Sequence, residues 1–109
     1  MASQDDNSNK GEKIPVSIDA DLEELIPEYI GNRLKDIKSI SESLGNGDYE
    51  NIRTTGHSMK GSGGGFGFDR ISEIGAAIEV AAMEEDHETI KNCNDELSTY
   101  LDNIVISYE

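Results

Sequence analysis

One histidine in this chain lies in a segment rich in glycine and serine, whose small side chains would leave the imidazole uncovered. His57 stands within TTGHSMKGSGGGFGF. If this segment is helical, at about 100° per residue, Arg53, Lys60, Gly61 and Gly64 surround His57 on one face. The imidazole is then exposed to solvent, beside positive charge and without bulky neighbours. Such a side chain could act as a nucleophile, ligate a metal ion or be an ordinary solvated histidine.

The length and charge of the chain limit its partners. Its 109 residues suffice for one domain with a single core. The formal net charge of -14 argues against nucleic acid and anionic membranes, because both would repel the chain. No apolar run reaches the roughly 18 residues that span a bilayer, and the polar start lacks the apolar part of a secretory signal. The single cysteine, Cys93, fits a reducing compartment. We therefore expect a cytoplasmic protein with a protein partner.

Apolar residues recur at intervals of three and four from residue 20 onward, which indicates amphipathic helices. No convincing alternating pattern of a strand is present. The sequence therefore predicts an all-α fold, an antiparallel up-down four-helix bundle over residues 14–109, after a disordered tail over residues 1–13. A short helix ending near Ile26 is expected to cover one end or edge of the core, because Pro27 fits only the first turn of the longer helix that follows.

Caps and glycines mark the expected helix limits. The first long helix ends at Gly45-Asn46-Gly47, and Gly67 closes the second. Three aspartates are placed to cap the second, third and fourth helices: Asp48, Asp69 and Asp86. Each helix is expected to turn one row of apolar residues, its inner stripe, toward the core. The first inner stripe runs through the short helix and the first long helix and consists of Leu22, Leu25, Ile26, Tyr29, Ile30, Leu34, Ile37, Ile40 and Leu44. The inner stripe of the fourth helix consists of Ile90, Cys93, Leu97, Tyr100, Leu101 and Ile104.

The run GSGGGFG, taken alone, is typical of a loop, because each interior glycine costs a helix up to about 1 kcal/mol relative to alanine. The wider pattern is more specific. HSMKGS, then glycines at positions 64 and 67 and an isoleucine stripe that ends at Glu79, resembles the histidine-containing phosphotransfer (HPt) domain. Three consecutive glycines, at positions 63–65, depart from the usual pattern of that family and leave open where this helix ends.

The resemblance implies a role for each residue around His57. In the HPt family a phosphorylatable histidine lies mid-helix on an exposed face of a four-helix bundle. His57 would accept a phosphoryl group from the aspartate of a receiver domain, or from a hybrid sensor kinase relay, and pass it to another receiver aspartate. Lys60 would offset the phosphoryl charge. Gly61 and Gly64 would let the receiver approach closely, and Arg53 could add positive potential.

The resemblance also implies the partners. These are response-regulator receiver domains and a hybrid sensor histidine kinase, and the protein is expected to be a monomer. We expect no cofactor and no metal in this chain, because in the family the magnesium ion belongs to the receiver. The chain has no P-loop pattern, so it is expected to be a phosphocarrier and not a kinase. Ile14, Val16 and Ile18 either contribute to an apolar docking surface or cover the core.

Two other functions compete with the phosphocarrier. The first is an interaction module that docks a receiver or kinase without carrying phosphate, although the presence of both His57 and Lys60 argues against it. The second is a metal-binding bundle that uses His57, His87 and acidic residues. Helical metal sites of this kind use Glu-x-x-His pairs that point inward, whereas His57 is predicted to point outward.

Overall fold

The computed structural model describes residues 12–109. The predicted tail, residues 1–13, lies outside the described residues except for Glu12 and Lys13, which are exposed. Four helices pack together as a bundle: α1 (Ile26–Asn46), α2 (Tyr49–Ser62), α3 (Asp69–Met83) and α4 (His87–Asn103). No helix in residues 12–109 combines the length and apolar character needed to cross a membrane.

Local signals set most of the helix limits. Pro27 lies in the first turn of α1, where its missing N–H costs no hydrogen bond. After α1, Gly47 adopts a φ of 70°, a left-handed conformation that glycine adopts without strain. The side chain of Asp48 accepts a hydrogen bond from the backbone N–H of Asn51, and Asp86 caps α4 in the same way. These limits agree with the sequence predictions.

The predictions for the start of α3 and for the end of α4 are wrong. No side chain caps α3: Asp69 is its first residue, and the cap position is held by Phe68. Phe68 is fully buried, so tertiary packing of this ring sets where the chain enters α3. At the other end of the fold α4 stops at Asn103, and Ile104 begins a strand. The β-branched run that starts at Ile104 favours extended backbone over helix.

A small parallel sheet corrects the all-α prediction. Strand β1 (Ile14–Ile18) pairs in parallel with β2 (Ile104–Tyr108). Alternate residues of both strands pack against the core, and Ile18 is 1% exposed. Both segments alternate apolar residues that face the core with outward residues, but each is only five residues long and its partner is far along the chain. The local pattern is therefore too short to predict the pairing. The β1 side chains thus cover the core, which was one of their two expected roles.

The first stripe is less regular than predicted. Ahead of α1, residues Ala20–Leu25 form a 3-10 helix in which no residue is buried. Leu25 and Leu34, both predicted to face inward, are 49% and 51% exposed. Ile26, Tyr29 and other members of the same stripe are buried as predicted. At Leu25 the reason is the change from 3-10 to α geometry at Ile26, which alters the angle between successive residues. Leu34 lies within α1, where the period of about 100° per residue puts it at the edge of the stripe.

Candidate functional site

His57 lies in α2, on the side of the helix that faces solvent. Its side chain is 68% exposed. The opposite side of the helix carries Ile52, Gly56 and Met59, which are all buried. The amphipathic spacing of α2 therefore directs the imidazole outward.

Glu79 on α3 joins His57 to Lys60. Its Oε2 lies 2.9 Å from Nδ1 of His57, and its Oε1 lies 3.2 Å from Nζ of Lys60. The Glu79 side chain is 14% exposed, whereas that of Lys60 is 50% exposed. One carboxylate thus holds two side chains that lie one helical turn apart.

The contact with Glu79 determines which imidazole nitrogen is available for chemistry. An ionised carboxylate can only accept hydrogen bonds, so Nδ1 of His57 carries a proton and donates a hydrogen bond to Glu79. In a neutral imidazole, a proton on Nδ1 leaves the lone pair on Nε2. Within residues 12–109, no group makes a hydrogen bond to Nε2. The exposed ring therefore offers solvent, or a partner, its nucleophilic nitrogen.

The pKa of the Glu79 carboxyl lies below its ordinary value. Desolvation acts to raise this pKa, but hydrogen bonds from His57 and Lys60 and the electrostatic attraction to both residues together outweigh it. Glu79 is therefore ionised at neutral pH. The carboxylate can then act as the acceptor that the Nδ1 proton requires.

Glycines allow α2 and α3 to come into direct backbone contact. A Cβ atom on Gly56 would lie 2.8 Å from the backbone nitrogen of Glu79. A Cβ on Gly75 would lie 2.6 Å from the backbone nitrogen of Lys60. Real Cβ atoms essentially never approach other atoms this closely. Both positions therefore need a residue without a side chain.

A serine ties the end of α2 to α3. The hydroxyl of Ser72 donates to the carbonyl oxygen of Lys60 at 2.9 Å and accepts from the N–H of Gly64 at 2.8 Å. Gly64 belongs to the 3-10 turn Gly64–Phe66, beyond the last residue of α2. The helical spacing that placed Gly64 beside His57 ends at Ser62. Gly64 therefore takes part in the turn after α2. The prediction that Gly67 closes α2 is wrong, because the α-helix ends at Ser62 and Gly67 instead ends the 3-10 turn.

The other two predicted residues lie on α2 itself. Gly61 faces open space, since a Cβ there would meet no atom within 4 Å. Arg53 is exposed one turn before His57. Lys60 is thus the cation that Glu79 connects to His57, and Arg53 adds charge from the other end of the same face.

A groove of about 300 Å³ lies between the first half of α1 and the second half of α2. The rings of Tyr29 and Phe66 stack in it with their centroids 4.3 Å apart, and the guanidinium of Arg33 lies 4.5 Å from the Tyr29 ring centre. Ser58, the residue after His57, also lines the groove. The groove therefore presents both apolar and polar groups, and its lining reaches the residue adjacent to His57.

Sequence reasoning missed the role of Glu79. In the sequence pattern Glu79 appears only as the end of the isoleucine stripe of α3, and it lies 22 residues from His57. No spacing rule links residues on different helices. The available signal was weak: a carboxylate directly after the inward-facing Ile78, on a helix that is otherwise rich in alanine and isoleucine.

Comparison with known proteins gives one family. The family model described as Hpt domain matches residues 21–105, a range that includes all four helices together with His57, Lys60 and Glu79. No match is found among curated proteins or among solved structures. Since this match covers most of the chain and contains an exposed histidine on a packed helical bundle, the protein belongs to the Hpt domain family.

Proposed function

We propose that this protein is a histidine phosphotransfer protein of a two-component phosphorelay. His57 accepts a phosphoryl group from the aspartate of a receiver domain, within or beyond a hybrid sensor histidine kinase, and passes it to the aspartate of another receiver. Membership of the Hpt family supports phosphotransfer in two-component signalling. The observation that carries the role of His57 is its exposed ring, with Nδ1 bound to Glu79 at 2.9 Å.

The transfer step follows from the state of the ring. Nε2 of His57 attacks the phosphorus atom of the aspartyl phosphate, and a P–N bond forms while the bond from phosphorus to the aspartate oxygen breaks. The aspartate leaves as a carboxylate. The ring becomes positively charged and keeps its Nδ1 proton, which stays in the hydrogen bond to Glu79. The Glu79 carboxylate therefore stabilises the charge that develops on the ring. The reverse sequence of bond changes delivers the group to the second receiver.

Lys60 is suited to stabilise the phosphoryl group. Its ammonium is held by Glu79 at 3.2 Å and remains half exposed. It lies one turn after His57, so it can reach the phosphoryl oxygens as their charge develops. Arg53 adds positive potential one turn before His57. Both are cations on one face of α2, in a chain whose formal net charge is -14.

The receiver is proposed to dock across α2 and the neighbouring groove. The open space at Gly61 leaves room for the rim of the receiver's acidic, metal-containing pocket. The groove beside Ser58 offers apolar surface from Leu25 and Phe66, together with the Arg33 guanidinium. The protein itself is proposed to act as a cytoplasmic monomer without a cofactor or metal of its own.

The up-down order of the helices is part of this proposal. Two hydrogen bonds between α1 and α2 support it. The hydroxyls of Tyr29 and Ser62 lie 2.9 Å apart, and Nδ2 of Asn51 donates to Oγ of Ser43 at 2.7 Å. The start of α1 thus contacts the end of α2, and the end of α1 contacts the start of α2, as expected for antiparallel neighbours.

Incubation with phosphorylated receiver domains tests the function. We expect an acid-labile, alkali-stable label on the wild-type protein, no label on His57→Gln, and full labelling of His87→Gln. Receiver binding without any label would instead indicate an interaction module. A label that persists in His57→Gln would contradict the assignment of the carrier residue.

A further inference from the structure

We infer that Gly56 and Gly75 are positioning residues for His57. By allowing α2 and α3 to touch, they keep the Glu79 carboxylate within hydrogen-bond distance of Nδ1 and so select the tautomer with its lone pair on Nε2. The effect on transfer rests on the function proposed above. The effect on the tautomer does not.

Gly56 sets the distance between α2 and α3 at the position of Glu79. It directly precedes His57 on α2. A Cβ on Gly56 would lie 2.8 Å from the backbone nitrogen of Glu79 and 2.8 Å from the carbonyl oxygen of Gly75. Both atoms belong to the backbone of α3, so they cannot rotate away as the end of a side chain could. Any side chain at this position must therefore push the two helices apart.

Gly75 makes the reciprocal contact from α3. A Cβ there would lie 2.6 Å from the backbone nitrogen of Lys60, 2.6 Å from Cβ of Met59 and 2.8 Å from the carbonyl oxygen of Gly56. The two glycines thus face each other across the contact between α2 and α3. Glycine is a poor residue for a helix interior, and close approach of two backbones is the physical use that explains it here.

Separation of the helices would affect both contacts of Glu79 at once. Its Oε2 and Oε1 bind partners on the same helix, at 2.9 Å and 3.2 Å. When α3 moves outward, both distances lengthen together. One carboxylate would then have to span a longer gap to two side chains at once, so a rearrangement that restores one bond does not by itself restore the other.

The tautomer of His57 provides the first test. Nitrogen-detected NMR of the unphosphorylated protein, at a pH where the ring is neutral, distinguishes a proton on Nδ1 from one on Nε2. We expect the Nδ1–H form in the wild type. In Gly56→Ala and in Gly75→Ala we expect a shift toward the Nε2–H form, because a free imidazole prefers that tautomer.

Two control variants separate positioning from helix propensity and from general destabilisation. Gly31→Ala adds the same methyl group to α1, where a Cβ meets no atom within 4 Å, and should leave the tautomer unchanged. Ile71→Ala removes a fully buried side chain from α3 and should lower the thermal stability without changing the tautomer. A folded Gly56→Ala or Gly75→Ala that keeps the wild-type Nδ1–H signature would overturn the inference.

A double-mutant cycle on the transfer rate provides the second test. Gly56→Ala should slow phosphoryl transfer roughly tenfold, because misplacement of a reacting group by a fraction of an ångström is costly. In the Glu79→Ala background the same change should have little further effect, since its route to His57 is already lost. Equal losses in both backgrounds would show that Gly56 does not act through Glu79. Absence of transfer in the wild type would contradict the proposed function, while the NMR result would still decide the role of the glycines.

Discussion

The two histidines of this chain both lie at exposed positions on helices, but their surroundings differ. His57, in α2, donates through Nδ1 to Glu79 on the next helix. His87 is the first residue of α4, and among residues 12–109 no hydrogen bond or ion pair involves its ring. The acidic residue beside it, Asp86, instead accepts hydrogen bonds from Thr89 as the cap of the helix.

The comparison shows what distinguishes His57 from the solvated His87 in this fold. Exposure is common to both rings. Of the two rings, only that of His57 contacts a carboxylate from a second helix, which accepts the hydrogen bond from Nδ1. The same carboxylate also binds a cation, Lys60. Orientation and charge around the ring therefore depend on how two helices pack, and not on exposure alone.

The largest effect is expected from closing the open side of His57. Gly61→Leu places a bulky side chain where a Cβ now meets no atom within 4 Å, so docking of the receiver should be blocked and labelling by a phosphorylated receiver should fall to background. Thermal stability should hold or rise, because leucine is the better helix former by up to about 1 kcal/mol. Gly31→Leu, on α1, is the matched control and should label normally. Labelling of Gly61→Leu at the wild-type rate would show that the receiver does not approach over this position.

A smaller loss is expected when His57 is made to resemble His87. Glu79→Ala removes the acceptor of the Nδ1 proton and releases Lys60, so the transfer rate should fall by up to about 100-fold. Glu88→Ala removes a carboxylate next to His87 and should leave the rate unchanged. Measurement of single-turnover transfer from a phosphorylated receiver checks both. Equal rates for wild type and Glu79→Ala would mean that exposure alone suffices for His57.

The smallest effect is expected in the pH dependence of stability. The pKa of Glu79 is lowered in the folded protein, so its contribution to the free energy of unfolding is fully present above the ordinary carboxyl pKa and is lost as the pH falls through the lowered value. The difference in unfolding free energy between wild type and Glu79→Ala should therefore shrink from neutral to acidic pH, as measured by urea denaturation.

Asp36 provides the opposite case for the same measurement. Burial raises its pKa in spite of the charge and hydrogen bond of Arg33. Its contribution should therefore be present at acidic pH and be lost as the pH rises through the raised value. The difference between wild type and Asp36→Asn should change with pH in the direction opposite to that for Glu79→Ala. Parallel trends for the two variants would contradict the assigned pKa directions.

The sequence predicted the parts of this protein that depend on neighbours close along the chain. The spacing of apolar residues placed His57 on the exposed side of α2, and Asp48 and Asp86 were recognised as caps because a cap acts within three residues. The same reasoning failed at Asp69, where the buried ring of Phe68 decides how the chain enters α3. It also failed at Leu25, which was expected to face inward on an α-helix but belongs to a 3-10 helix.

Other features depend on residues that are far apart in the chain. The pairing of β1 with β2 joins the two ends of the described residues, and the alternating pattern of each five-residue segment does not identify its partner. The contact of Glu79 with His57 requires α2 and α3 to approach until Gly56 and Gly75 touch. A helical period specifies directions around one helix, but says nothing about which helix lies opposite.

The sequence by itself determined that the chain forms amphipathic helices and that one histidine, with a lysine one turn later, faces outward, because both follow from the local geometry of a helix. Only the tertiary structure decided which carboxylate meets that histidine, which of its nitrogens keeps the lone pair, and that the ends of the fold close as a sheet. These features depend on distances between segments, which are set by the close packing of the helices and strands against one another.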